Sequence, residues 1–174
     1  MNLPPILFLR TIGNFVANIE KKRKKLVKCK LIIILRPQSK HPTYCTMTKK
    51  EKFHIEYVFD NVSLLSLWNH VTTPFGLSDW FADSVKITGS VYTFSWQKIK
   101  QSAQVIEEEP HELIRFRWED EEASDAYFGF RIRVIELTGS TVFEITDFAL
   151  PAEKADAIHL WETQVETLKR TLGI

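Results

Sequence analysis

From Phe53 onward the chain alternates. In FHIEYVF, Phe53, Ile55, Tyr57 and Phe59 fall on one side and His54 and Glu56 on the other, and this period of two predicts a half-buried strand. Asp60-Asn61 interrupts it. Ser63 stands where a helix cap is wanted, ahead of Leu64, Leu65, Leu67, Trp68 and Val71 at helical spacing. Thr73-Pro74 predicts a second short helix, with Thr73 as its cap and Pro74 in its first turn. Leu77, Trp80 and Phe81 form that helix's apolar stripe, while Ser78 and Asp79 face water.

A series of strands follows. VKITG ends at Gly89, and VYTFSWQ alternates Tyr92, Phe94 and Trp96 with Thr93 and Ser95. IKQSAQVIEEE runs to Pro110. ELIRFRWE sets Ile114, Phe116 and Trp118 against Arg115 and Arg117, and AYFGFRIRVIE sets Phe128, Phe130, Ile132 and Val134 against Gly129, Arg131 and Arg133. STVFEITDF comes after a Thr138-Gly139 turn, with Phe143, Ile145 and Asp147 on one side. Turn residues every eight to fourteen positions, with one apolar and one charged side per strand, describe a consecutive antiparallel sheet solvated on one face. The four arginines on the charged side are expected to pair across strands with acidic neighbours. After Pro151 and Glu153, the residues Ile158, Trp161, Val165, Leu168 and Leu172 recur at helical spacing up to Gly173. A long one-sided helix has to bury its stripe, and the inner face of the sheet is the large apolar surface available to it.

The order is strand, two short helices, six strands, long helix. With LWNHVTTPFGLSDWFAD, VYTFSW, VIEEEPHELIRFRW, TVFEITDF and the final amphipathic helix, it resembles the START-like (SRPBCC) superfamily, nearest the branch of the activator of heat-shock chaperone ATPase. The residues that carry the resemblance are Trp68, Thr72 to Pro74, Trp80-Phe81, Pro110 and Phe116 to Trp118. The family's Gly-Trp in the last helix reads Leu160-Trp161 here, and its frequent His near the end of the last strand reads Asp147. The resemblance covers residues 51–173. It implies an α+β helix-grip fold, in which a curved antiparallel sheet of about seven strands wraps the C-terminal helix and the two short helices close one end.

A curved sheet cannot lie flat on a straight helix, so a gap arises that is either filled by large side chains or left for a ligand. The expected lining is Tyr92, Phe94, Trp96, Phe116, Trp118, Phe128, Phe130 and Phe143 from the sheet, and Ile158 and Trp161 from the long helix. Trp68, Trp80 and Phe81 close the end, and Asp147 is an inward polar anchor. On this reading the protein is a binding module for a small hydrophobic or amphipathic molecule. The alternative is a co-chaperone-like protein-interaction module, with a homodimer also open. A cyclase or aromatase-type enzyme would need more inward polar residues than Asp147, Tyr92 and Tyr127.

Charge divides the chain. Residues 1–46 carry ten Lys or Arg against one acid, whereas residues 47–174 carry thirteen against twenty-one. The first stretch, with KKRKK at 21–25 and both cysteines (Cys29 and Cys45), reads as a basic extension outside the functional domain, which is expected over 47–174 and opens on Met47. It has no aromatic interleaving of the kind nucleic-acid binding uses. LIIIL at 31–35 is too short to span a bilayer. A cytoplasmic protein is therefore expected, with neither nucleic acid nor a membrane span. The histidines His54, His70, His111 and His159 show no His-x-x-x-His spacing, and there is neither a Cys-x-x-Cys pair nor a phosphate loop, so no metal or cofactor is expected.

Overall fold

The computed structural model describes residues 49–97, 99–121 and 125–174. The basic stretch 1–46 and its two cysteines lie outside the described residues. Seven strands form one antiparallel sheet: β1 (Glu51–Phe59), β2 (Ser84–Thr88), β3 (Val91–Trp96), β4 (Ile99–Glu109), β5 (Leu113–Trp118), β6 (Phe128–Val134) and β7 (Thr141–Ala149). Their spatial order is β1-β7-β6-β5-β4-β3-β2, so the last strand returns to pair with the first and every other pairing joins neighbours in sequence. Two short helices, α1 (Leu64–Thr72) and α2 (Pro74–Trp80), connect the two edge strands, and α3 (Lys154–Leu172) ends the chain. This is the α+β helix-grip arrangement.

The local signals act where the sequence placed them. Ser63 Oγ accepts from the Ser66 amide at 3.4 Å, and Thr73 Oγ1 accepts from the Gly76 amide at 3.0 Å, so each short helix starts on a hydroxyl that satisfies an otherwise orphaned N–H. Gly76 is required by proximity. A Cβ there would lie 2.3 Å from the Asn69 carbonyl oxygen and 2.5 Å from His70 Cα, so its absence lets α2 pack directly on the end of α1. Pro151–Glu153 forms a single 3₁₀ turn, and the α-helix proper begins one residue later than the Pro-Glu signal suggests. Gly173, at φ 79°, ends it in the left-handed conformation.

Burial follows the alternation. Phe94, Phe116, Phe130, Phe143 and Ile145 are fully buried on the inner face, and α3 turns Trp161, Val165 and Leu168 toward them. On the outer face, Arg115 pairs with Glu107, Arg131 with Glu112 at 3.5 Å, and Arg133 with Glu144. Arg117 departs from that ladder: its Nε is buried with no hydrogen-bond partner among the described residues.

Candidate functional site

The residues expected to line a cavity converge on one aromatic centre, and Phe81 is its hub. Phe81 follows α2 as the C-cap, which swings its ring off the end of the short helix into the space between sheet and α3. There it stacks on Trp161 of α3 (centroids 5.7 Å, planes 13° apart) and on Phe128 of β6 (5.9 Å, 25°). Its edges meet Phe94 at 5.0 Å, Trp96 at 5.8 Å and Phe130 at 6.3 Å. Trp80 continues the wedge against Phe130 and Phe143. Behind it, Phe116, Phe128 and Trp118 form a stack across β5 and β6, and Tyr92 abuts Phe116 at 5.0 Å.

Four of the polar edges of these rings are committed within the chain. Trp80 Nε1 donates to the His70 carbonyl at 2.9 Å, and Trp96 Nε1 donates to the Phe81 carbonyl at 2.8 Å. The Tyr92 hydroxyl donates to the Thr72 carbonyl at 3.0 Å, and burial, then the charge of Glu108, pushes its pKa above the ordinary phenol value. Trp161 Nε1 donates to Asp147 Oδ2 at 3.0 Å. Asp147 therefore does point inward, as the alternation implies, and it holds the indole of α3. Its other carboxylate oxygen accepts from the Phe148 amide at 2.7 Å.

Two residues of the expected set stand apart from this centre. Trp68 is buried, but its ring partner is His111 in the β4–β5 turn, at 5.8 Å, which ties α1 to the far end of the sheet. Ile158 is half-buried on the first turns of α3. Sequence reasoning missed the backbone carbonyls of His70, Thr72 and Phe81, which fasten the aromatic edges. No side-chain pattern marks a carbonyl.

Phe94, Phe116, Phe130 and Phe143 have no surface that a water molecule can touch. Phe81 meets rings of β3, β6 and α3 across the gap between sheet and helix.

A family model for the START-like superfamily domain matches residues 47–174. The chain belongs to that superfamily. Among solved structures, this START-like chain is similar to a Bacteroides fragilis protein determined in solution, with 41% identity over 71% of this chain and 91% of that chain (TM-score 0.55). It is similar in fold to the Aha1 dimer of Colwellia psychrerythraea (16% identity, 71% and 97% covered, TM-score 0.59). It is likewise similar to CalU16 of Micromonospora echinospora (18% identity, 68% and 72% covered, TM-score 0.54). No curated protein matches the chain. Among the described residues, no helix is long and apolar enough to cross a membrane.

Proposed function

We propose that this START-like domain is a non-catalytic interaction module whose aromatic centre is a rigid scaffold, and that it acts on a protein partner in the manner of a co-chaperone. The observation that carries this reading is Phe81, whose ring occupies the space a ligand would take and touches β3, β6 and α3 at once. A small hydrophobic guest would have to expel that ring and forgo the packing it makes on six aromatic neighbours. Large side chains left in water are available for a partner instead: Leu65 of α1, Phe75 of α2 (79% exposed) and Leu137 at the tip of the β6–β7 hairpin. The neighbouring branch of the superfamily supplies the class of partner, a chaperone ATPase. The functional domain in this reading is 47–174, with 1–46 as an extension to it.

The test has two arms. Oleate, cholesterol and a flat aromatic such as anthracene are titrated in while tryptophan fluorescence is followed; the wild type gives no saturable change. Phe81→Ala, which vacates the hub, creates an apolar void of the kind that stays dry and admits small aromatic guests, so it responds to the aromatic probe. Stimulation of a heat-shock chaperone ATPase by the wild type is the positive outcome. A saturable one-to-one response of the wild type to oleate or cholesterol would overturn the reading in favour of the ligand-binding module.

A further inference from the structure

The outer face of the sheet holds an arrangement that the aromatic scaffold does not use. Glu144, in β7, is only 7% exposed, and strand pairing sets Glu56 of β1 directly opposite it. Like charges directly opposite on adjacent strands are destabilising, so this register calls for positive charge between them. Arg133 supplies one unit from the β6 side: it bonds Glu144 Oε1 and lies 3.8 Å from Glu56 Oε1. The second oxygen of Glu144, Oε2, faces away from that arginine toward His54 Nε2, at 3.8 Å, while Glu56 Oε1 is 3.2 Å from the same nitrogen. His54 Nδ1 lies 3.2 Å from the Thr146 hydroxyl. In the tautomer that donates Nδ1–H to Thr146, Nε2 presents a bare lone pair to two carboxylates, and no proton lies among the three.

We infer that His54, Glu56 and Glu144 form a binding site for a divalent first-row transition-metal cation, with Thr146 orienting the imidazole. One ligand atom from each residue falls within 4.8 Å of the others. A centre about 2.4 Å from all three exists for atoms so spaced, and a small rotation of the exposed Glu56 brings this to the roughly 2.0–2.2 Å of zinc–nitrogen and zinc–oxygen bonds. An imidazole with two carboxylates suits zinc or manganese, while calcium and magnesium take oxygen alone. Alternation on β1 puts His54 and Glu56 on one face, and pairing with β7 brings Glu144 beside them, so the backbone ladder fixes all three. His54 and Glu56 are exposed, which leaves the solvent side open to water ligands. The hydroxyl on the far ring nitrogen is the kind of outer partner that sets the tautomer of metal-bound histidines. No contiguous motif announces such a site, because one ligand comes from a strand almost ninety residues away.

Zinc alone is the probe. The full chain, stripped with chelator, is titrated by calorimetry as wild type and as the Cys29→Ser/Cys45→Ser variant, since cysteine is itself a zinc ligand. The expected result is a binding event retained in the double-serine variant and weakened at least about tenfold by His54→Ala, the scale on which even an outer partner of a metal ligand matters. His159→Ala leaves it unchanged; that residue belongs to the exposed histidine–carboxylate contact with Glu162 on α3. Because Glu144→Gln strips Arg133 of its partner and can cost the fold, the exposed His54 is the deciding position. Nitrogen-15 spectra give the second readout: zinc shifts His54 Nε2. Zinc binding that His54→Ala does not alter, or a His54 that stays doubly protonated under saturating zinc, overturns the proposal. The latter result would make the imidazolium itself the missing cation.

Discussion

The bond between Trp161 and Asp147 joins the long helix to the last strand, and its strength can be worked out from the structure. Trp161 is 6% exposed, stacks on Phe81 and meets Phe130 nearly edge-on at 5.8 Å. Trp161→Phe keeps a ring in that stack but deletes the indole N–H and the second ring. The gap left behind is roughly 40 Å³, which at about 24 cal/mol per Å³ costs about 1 kcal/mol before any transfer term. The hydrogen bond to an ionised acceptor contributes about 1.5–3 kcal/mol. Trp161→Phe should therefore cost about 2.5–4 kcal/mol, and Trp161→Ala, which also removes the stack, about 3–5 kcal/mol.

Urea denaturation followed by circular dichroism measures both. A cycle of Trp161→Phe, Asp147→Ala and the double variant isolates the pair, because the Phe148 amide bond and the packing terms cancel in it. The coupling energy should be about 1–3 kcal/mol. At roughly 4 °C per kcal/mol for a domain of this size, the Trp161→Phe melting point falls by about 10–16 °C. A coupling below about 0.5 kcal/mol would mean that Asp147 does not hold the indole. A cost for Trp161→Ala under about 2 kcal/mol would mean that Trp161 borders open space, which would favour a cavity.

Three further outcomes are expected. A chain starting at Met47 should melt within about 4 °C of the full chain, roughly 1 kcal/mol, because residues 51–172 supply every described strand and helix; a larger drop would show that the basic stretch stabilises the domain. Gly76→Ala should destabilise by about 2 kcal/mol or more, since its Cβ meets backbone atoms rather than a side chain that can yield, and an unchanged urea midpoint would disprove the close helix contact. Tyr57 has its pKa pushed up to about 12 by burial first, then by the charges of Glu162 and Glu166. Its phenol is neutral in both folded and unfolded chains below pH 10, and above that the unfolded chain loses its proton first. Stability should accordingly fall as pH rises from 10 to 12, with Tyr57 among the tyrosines that ionise late at 295 nm; a spectrum in which every tyrosine ionises near pH 10 contradicts the burial of Tyr57.

Much of this molecule could be read from single strands and single helices. Alternation assigned Phe94, Phe116, Phe130 and Phe143 to one face because side-chain direction in a strand depends only on position along it. Hydroxyl caps at Ser63 and Thr73 were legible for the same reason: the cap and its amide lie three residues apart. Whether the gap under α3 is empty was not legible. That depends on the curvature of the whole sheet and on where the end of α2 throws Phe81, and no local pattern encodes either. Nor was the partner of Asp147. The strand fixed the direction of its carboxylate, but the donor it meets stands on another element.

Register is the sharper case, since alternation leaves it undetermined. Sliding β1 by two residues along β7 would keep Phe53, Ile55, Tyr57 and Phe59 all facing inward, so burial alone does not choose between such alignments. Particular pairs choose. In the observed register Phe59 lies against Phe143, ring centroids 5.9 Å apart, and Asp60 just beyond the strand accepts from the Ser140 hydroxyl at 2.8 Å. A slip would part both. The same alignment brings Glu56 opposite Glu144 and His54 opposite Thr146. The inner aromatic pair and the turn hydrogen bond thus fix an outer arrangement that electrostatics by itself would disfavour. An unfavourable pairing held in place from elsewhere in the fold is where a bound cation has the most to contribute.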